Sequence, residues 1–509
     1  MANAEHVSAV DNDSPRFSAS TRARSDQIKS WGLLAAIVAL TAIVLMLRPD
    51  GLSVAGQNML GIFAFAVIVW MTEAIDYAAS SIVLMALITL LIGIAPDPDQ
   101  PAHIFGTSRA LSVALEGFTN PAVALIAASL VIATAMGITG LDKRLAYMVI
   151  LLIGTRRSHL LIGTIIVMAL LAFFVPTASA RVACLVPIIL GLISALGIDR
   201  KSRVAGMLMM SIVYLSLIWA MGIATGAAQN VYVNALLDRT INVHISWIDW
   251  LTVGAPFSIA LSVALYFVLM KMMTPGQSEP DVAEAASGNL SAELGPITTA
   301  EIRLLVFSLI LLGFWATEHR LHSFDSATVA IAVVALMFLP KIGVITWNEV
   351  QARIPWGILV QLGVGVGLGI TLLKTGAAGW LAEFVVDEFG VQHLSSFAML
   401  AVLWLFLIVV HLGFSSGAAM ATTMIPVLLS VFLHMQIPVS KVAGMTMFLA
   451  FVTSVGWILP INGPQNMLAF GTGTFEARDF VRVGSVMTVI TYLMLLFFAS
   501  TWWHWLGYI

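Results

Sequence analysis

The stretch that decides the fold is Trp457–Gly473, which reads WILPINGPQNMLAFGTG. It begins like a membrane-spanning helix and then places two prolines, a glycine and three amide side chains between Pro460 and Asn466. In hydrocarbon an unpaired backbone group is costly, so a broken helix survives only inside protein or beside a water-filled cavity. Freed carbonyls bind cations, and exposed helix N-termini bind anions. The stretch therefore predicts a discontinuous helix at a binding site, and the alternative is a simple proline kink.

The composition of the chain indicates a membrane protein. Hydrophobic residues make up 60% of the 509 positions and charged residues 10%, whereas a soluble domain is typically about 25% charged. Because a spanning helix needs roughly 20 apolar residues, we expect an all-α integral membrane protein with about eleven transmembrane helices. The single cysteine, Cys184, excludes an internal disulfide and a cysteine-based metal cluster. No P-loop, His-Glu-x-x-His or Gly-x-Ser-x-Gly pattern occurs, so we expect neither an ATP-driven pump nor an enzyme.

Basic residues near the N-terminus predict its location. Arg16, Arg22, Arg24 and Lys29 precede the first apolar run, and they are not followed by the pattern of a cleaved signal peptide. By the positive-inside rule, residues 1–30 form a cytoplasmic tail. We expect a multi-pass protein of a bacterial inner membrane, in contact with lipid. The net charge of −3 gives no indication of nucleic-acid binding.

A polar linker divides the chain into two halves. Residues 274–300 are rich in Pro, Gly, Ser and acidic residues and contain no basic residue. The linker separates a first half, 31–273, from a second half, 301–509. We expect the last helix of the second half near 480–506.

The two halves repeat each other. ATGAAQNVYV, which begins at Ala224, matches INGPQNMLAF, which begins at Ile461, and the Gln-Asn pairs lie 236 positions apart. The Thr-Gly pairs of MGITGL and LLKTGA are also 236 positions apart, and Trp70 and Trp315 are 245 apart. Paired broken segments in duplicated halves are typical of secondary transporters, so we expect two inverted repeats.

A second unusual stretch precedes each break. VPTASARVACLVP (Val175–Pro187) and GFSSGAAMATTMIP (Gly413–Pro426) both mix small and hydroxyl residues and close on a proline. Small residues allow tight helix packing, which is the simpler interpretation. Hydroxyl groups beside a helix start are also good donors to a carboxylate or sulfate. We expect re-entrant hairpins near 160–198 and 398–434, and broken helices near 204–238 and 441–475.

Three segments resemble motifs of the divalent anion/sodium symporter family. They are WMTEAIDYAASS from Trp70, RIPWGILVQLG from Arg353 and SVGWILPINGPQNMLAFGTG from Ser454. The resemblance extends from Leu33 to the C-terminus. It implies a homodimeric carrier of di- and tricarboxylates or sulfate, with a scaffold domain and an elevator-type transport domain in each protomer. It also implies that Ser-Asn-Thr motifs on the two hairpins hold substrate carboxylates and help to build sodium sites, which the broken helices complete.

The chain departs from the family pattern at these motifs. The first Ser-Asn-Thr falls on Thr177–Ser179 and the second on Ser416–Ala418, so both central asparagines are missing. The family's Thr-Pro-Pro-Asn or similar run is replaced by Ala227–Asn230 and Gly463–Asn466. Backbone ligands are compatible with these changes, whereas the side-chain ligands have been replaced.

The resemblance and the broken segments together give two sets of expected ligands. The expected substrate ligands are Thr177, Ser179, Arg181, Ala228, Gln229, Asn230, Ser415, Ser416, Gly417, Gly463, Pro464, Gln465 and Asn466. The expected sodium ligands are Thr177, Ala178, Gly226, Ser416, Gly417 and Asn462.

Two ionisable residues lie close to the expected site. Arg181 follows the first hairpin tip, and a charge at that depth is costly and usually functional. It either pairs with the anion or replaces a bound cation, and the structural alternative is an arginine that bonds hairpin carbonyls. His411 precedes the second tip and is either a titrating group or a packed neutral residue.

The sequence therefore predicts a secondary active transporter for a small anion, namely a di- or tricarboxylate, a sulfonate or sulfate. We expect an elevator-type mechanism coupled to a cation, with Na⁺ as the coupling ion and no other cofactor. One alternative is a sodium-independent exchanger or uniporter in which Arg181 replaces the bound cation. A second alternative is a membrane sensor or scaffold that does not transport.

Overall fold

The computed structural model of the protein describes residues 19–153, 156–273, 295–318, 320–390, 393–435 and 437–509. These residues form helices and loops, and two isolated bridges, Pro96 with Ile104 and Glu318 with His322, are the β pairing found among them. Of the expected cytoplasmic tail, residues 1–18 lie outside the described residues. The same is true of residues 274–294 of the expected linker.

The helices follow one another in two series. The first half contains α1 (Ala19–Leu45), α2 (Val54–Thr72), α3 (Tyr77–Leu87), α4 (Thr107–Leu115), α5 (Pro121–Thr139), α6 (Leu141–Ile153), α7 (Arg157–Ala172), α8 (Ala178–Ala195), α9 (Arg203–Gly222), α10 (Ala228–Ile241) and α11 (Trp247–Met272). The second half contains α12 (Thr299–Thr317), α13 (Ser326–Met337), α14 (Trp347–Gln351), α15 (Trp356–Lys374), α16 (Ala377–Phe389), α17 (Ser396–His411), α18 (Gly417–His434), α19 (Val439–Val452), α20 (Pro464–Phe470), α21 (Ala477–Ser500) and α22 (Trp502–Trp505).

Many of these helices are apolar along their whole length. In the part of the chain that the structure describes, nine helical segments are long and apolar enough to cross a membrane, and six shorter apolar helices accompany them. The shorter ones include α7 and α17, which lead into the two hairpin tips. The protein is therefore a multi-pass integral membrane protein, and its all-helical fold class is confirmed.

The duplication is visible in where the helices begin and end. The bounds of α2 and α12 are 245 positions apart, as are their N-capping residues, Ser53 and Thr298. The bounds of the two hairpin helices α7 and α8 recur 239 positions later in α17 and α18. The bounds of α6 recur 236 positions later in α16. The repeat predicted from short motifs therefore extends over whole helices.

The two halves run in opposite directions through the fold. Gly206, near the start of α9, lies against residues that follow the second broken helix, since a Cβ on it would be 3.1 Å from the carbonyl oxygen of Thr474. The first broken helix thus starts at the face where the second one ends. The second broken helix begins with α19, so α19 starts at the opposite face from α9. This is the inverted arrangement that the sequence predicts.

Candidate functional site

Each broken helix contains a short 3-10 turn. In the first, α9 ends at Gly222, the turn spans Ala224–Gly226, and α10 begins at Ala228. In the second, the turn spans Pro460–Asn462, two positions before α20 begins. The breaks therefore lie where the prolines, glycines and amides of the two segments predict them.

An asparagine braces each break. Asn230 Nδ2 donates to the carbonyl oxygens of Ala220 at 2.6 Å and Ile223 at 3.0 Å. Asn466, 236 positions later, donates to the two carbonyls at the equivalent positions of the second break, at 2.8 and 3.2 Å. Both amides are among the predicted substrate ligands. Their nitrogens satisfy carbonyls that the breaks remove from helical hydrogen bonding.

The two hairpin tips and the two breaks meet at a cavity of about 300 Å³. Most of the expected ligands line it: Thr177, Ala178, Ser179, Ala228, Gln229, Ser416, Gly417, Asn462, Pro464 and Gln465. The others lie beside it without forming its lining: Arg181, Gly226, Asn230, Ser415, Gly463 and Asn466. Ten of the sixteen expected ligands therefore line the cavity.

Helix starts give the cavity a positive potential. The Thr177 side chain caps α8 by accepting from the backbone N–H of Ala180, and Ser416 caps α18 by accepting from that of Ala419. α10 begins at the cavity without a side-chain cap. N–H groups at helix N-termini favour negative charge, so these starts favour an anion.

Two glutamines connect the broken helices and the first hairpin tip. Gln229 of the first broken helix donates through Nε2 to Ser454 Oγ of the second broken helix at 2.9 Å. Ser179 Oγ donates to Gln465 Oε1 at 3.3 Å, from the first hairpin tip to the second broken helix. Because Ser179 takes the amide oxygen, the nitrogen of Gln465 remains as a donor for a bound anion.

Arg181 binds backbone carbonyls from three segments. Its side chain is fully buried. Nη1 donates to the carbonyl oxygens of Val175 at 2.6 Å and Gly226 at 2.8 Å, and Nη2 donates to that of Ser216 at 2.6 Å. The guanidinium group therefore joins the first hairpin tip, the first break and α9, and its charge lies behind the cavity.

Protein donors occupy some of the carbonyl oxygens near the expected sodium ligands. Arg181 donates to the carbonyl oxygen of Gly226, which is one of those ligands. Asn462, another of them, donates through Nδ2 to the carbonyl oxygens of His411 at 2.9 Å, Leu412 at 3.3 Å and Phe414 at 3.0 Å. The described residues also contain no group of three or more His, Cys, Asp or Glu side chains placed to hold a metal ion.

His411 lies in the wall of the cavity. Its side chain is buried, and neither ring nitrogen meets hydrogen-bond geometry with another described group. The ring packs on Gly456 of the second break, where an added Cβ would be 2.5 Å from Nε2. The structure therefore brings this residue to the site, as the sequence predicts.

One wall of the cavity was not expected. It is formed by Asp76 and Tyr77 at the start of α3 and by Gln361 of α15. The second hairpin tip contacts this wall, because Ser415 Oγ donates to Glu73 Oε1 and lies 2.7 Å from the Tyr77 hydroxyl. The segments from Trp70 and Arg353, which carry the family resemblance, were the sequence signal for this wall.

A histidine–glutamate pair lies outside the membrane-spanning segments. His244 Nε2 is 3.9 Å from Glu318 Oε1, and Glu318 also accepts from Ser326 Oγ at 2.6 Å. Attraction to Glu318 raises the pKa of His244, although partial burial opposes the shift. Burial favours the neutral form of Glu318, but its pairing with His244 and hydrogen bonds from Ser326 and the Trp247 backbone lower its pKa overall.

The pair predicts a pH dependence of stability. Because the pKa of His244 is raised on folding, this group stabilises the folded state fully below its unfolded pKa of about 6.5, and the stabilisation is lost as pH rises through the folded pKa. Because the pKa of Glu318 is lowered on folding, its stabilisation is present above its unfolded pKa of about 4.3 and is lost as pH falls through the folded pKa. The side chain of His244 is 46% exposed, so we expect only about 0.5 kcal/mol.

Thermal unfolding at pH 6 and pH 9 measures this effect. The stability difference between the wild type and His244→Gln should be larger at pH 6 and shrink by pH 9. A difference that stays constant over this range would contradict the role of the pair.

Comparisons with known proteins agree with this architecture. A family model described as "sodium:sulfate symporter transmembrane region" matches residues 27–509. A "membrane protein" of Cupriavidus necator is 46% identical over 481 residues, which cover 94% of this chain and 93% of the relative. The sodium-dependent dicarboxylate transporter SdcS of Staphylococcus saprophyticus is 26% identical, with 92% and 90% covered. The citrate/succinate antiporter of Escherichia coli is 25% identical, with 92% and 96% covered.

A solved structure supports the fold alone. The YdaH transporter of Alcanivorax borkumensis superposes with a TM-score of 0.51 at 13% sequence identity. The match covers 83% of this chain and 97% of that one.

Proposed function

The chain belongs to the sodium:sulfate symporter transmembrane family, and from this premise we propose that it exchanges small di- or tricarboxylates across the inner membrane without sodium. It is a membrane transporter and not an enzyme. The observation that carries the proposal is the bonding of Arg181 to the carbonyls of Val175, Gly226 and Ser216. A permanent guanidinium charge there replaces a cation that would otherwise have to bind and leave in each cycle.

The polar groups of the cavity support an anion as the cargo. Hydroxyl, amide and backbone N–H groups come from both hairpins and both broken helices. Among the described residues that line the cavity, Asp76 is the one carboxylate, and it accepts from the backbone N–H groups of Ala78 and Ala79 and so caps α3. A carboxylate substrate would gain several N–H and O–H donors there, with the charge of Arg181 nearby.

The identity of the cargo rests on the relatives. Two of them are named for dicarboxylates or for citrate and succinate. Since these relatives match almost the whole chain, we place di- and tricarboxylates before sulfate and sulfonates. The relatives also differ in mechanism, because one is called sodium-dependent and the other an antiporter. The contacts of Arg181 and Asn462 favour the second mechanism for this chain.

Alternating access would come from movement of the hairpins and broken helices as one body. They share the hydrogen bonds of Arg181, Gln229, Gln465 and Asn462, whereas contact with α3 runs through Ser415 at a hairpin tip. We propose an elevator-type movement of this body against the remaining helices, in a homodimer.

Uptake of labelled succinate and citrate into proteoliposomes tests the proposal. We expect uptake that requires unlabelled anion inside and keeps its rate when Na⁺ is replaced by K⁺, because no sodium ion completes the site. Uptake driven by a sodium gradient without internal anion would establish the symporter instead. Flux that needs neither would indicate a uniporter, and absence of flux with every small anion would favour the sensor or scaffold.

A further inference from the structure

The lining of the cavity has two parts of different origin. One part comes from the hairpins and broken helices, which are duplicated and contribute from both halves. The other part comes from residues 76–78 at the start of α3 and from residues 355–361 around the start of α15. This second part, here called the α3/α15 wall, comes from one copy of each helix, so its counterparts in the duplicated chain lie elsewhere.

The counterparts of the α3/α15 wall line a second cavity, of about 210 Å³. Residues 325–327 at the start of α13 lie 249 positions after residues 76–78, and both segments are capped by an aspartate that accepts from two backbone N–H groups. Residues 121–125 of α5 lie 236 positions before 357–361 of α15. The second cavity is therefore bounded by an α5/α13 wall that is equivalent to the α3/α15 wall.

The first broken helix separates the two cavities. Ala227 and Ala228 line the first cavity, whereas Ala224 and Val231 line the second. Because the halves run in opposite directions, equivalent walls face opposite sides of the membrane. In this state the α3/α15 wall therefore borders the hairpins and breaks, and the equivalent α5/α13 wall lies behind the first break.

We propose that the α5/α13 wall receives the anion-loaded hairpins in the opposite-facing state, so that Gln361 contacts the anion in one state and Asn120 in the other. This inference rests on the proposed transport function. It makes the two amides specificity-determining residues for opposite faces of the membrane.

An unpartnered amide on each wall supports these roles. Gln361 is 7% exposed and lines the first cavity, and its Nε2 has no hydrogen-bond partner among the described groups. Asn120 is 3% exposed and lines the second cavity, and its Nδ2 likewise lacks a described partner. Buried donors are rarely left without an acceptor. Both nitrogens are buried in this state, so each amide would turn toward its cavity to donate to an anion carboxylate.

The glutamates that follow α2 and α12 lie beside the two equivalent walls. Glu73 accepts from Ser415 of the second hairpin tip, which contacts the α3/α15 wall. Its counterpart Glu318, 245 positions later, accepts from Ser326 of the α5/α13 wall and from the backbone of Trp247.

Kinetics measured separately at the two membrane faces test the inference. In proteoliposomes of defined orientation, Gln361→Leu should raise KM about tenfold at one face only, because one hydrogen bond to a charged group is lost. Asn120→Ser should raise KM at the opposite face only. Serine keeps the cap that Asn120 provides to α5 through the Ala122 N–H and removes only the amide donor.

Two further variants make the result decisive. Gln465→Leu removes a donor that travels with the anion and should raise KM at both faces. Leu125→Gln places a donor at the position equivalent to Gln361 and should lower KM at the face where Asn120→Ser raises it. Active variants whose KM changes equally at both faces, or at neither, would overturn the inference and leave transport standing. Absence of wild-type exchange would overturn the proposed function itself.

Discussion

Arg181→Ala is expected to abolish anion exchange and to lower the free energy of unfolding by about 4 kcal/mol. The substitution leaves the carbonyls of Val175, Gly226 and Ser216 without their donor in a buried setting. It also removes the one charge that joins the first hairpin tip to the first break. The first tip then loses its fixed position against α10, so the cavity loses its geometry as well as its positive potential.

The same variant provides a direct test of the cation-replacement proposal. With the guanidinium group gone, three carbonyl oxygens face an empty volume, which is a suitable environment for a sodium ion. We expect NaCl, compared with choline chloride, to raise the unfolding temperature of Arg181→Ala and to leave that of the wild type unchanged. Arg181→Lys keeps a charge but has a single nitrogen, so it should recover part of the stability. Equal stabilisation of wild type and alanine variant by sodium would contradict the proposal.

The positions of the breaks and hairpins were predictable because local residue types determine them. Prolines, glycines and amides interrupt an apolar run in a way that hydrocarbon does not permit elsewhere, so the segments around Gly226 and Pro460 could be located from sequence. The first hairpin was expected near 160–198, and its helices span Arg157–Ala195. The repeat then allowed each feature to be checked against its copy.

The roles of individual side chains were less predictable because they depend on tertiary contacts. Asn230 and Asn466 are each the third residue of their helix, and only the path of the preceding break decides that they point back to carbonyls. Arg181 left its partners open, because the carbonyl of Ser216 that it binds lies 35 positions away in the chain. The α3/α15 wall depends on segments about 280 positions apart meeting at one cavity, which no local pattern encodes.

Gly417→Ala is expected to lower anion affinity by about tenfold to a hundredfold, since overpacking of a tight contact costs about 1–3 kcal/mol. Gly417 is the first residue of α18 and lines the cavity. A Cβ there would lie 2.3 Å from the carbonyl oxygen of Thr453 and 3.3 Å from Gln229 Nε2. The carbonyl belongs to the backbone at the end of α19 and cannot rotate away, so the second hairpin tip must move off the second break.

Gly413→Ala is the matched control, four positions earlier on the same hairpin. A Cβ at this position would also be too close to a neighbour, at 2.4 Å, but that neighbour is the terminal methyl group of Met71. Methionine is flexible and can change rotamer, so affinity should stay within about twofold of the wild type. Anion titration followed by thermal shift measures both variants. If Gly413→Ala weakened binding as much as Gly417→Ala, general sensitivity of the tip, and not its contact with the break, would explain the loss.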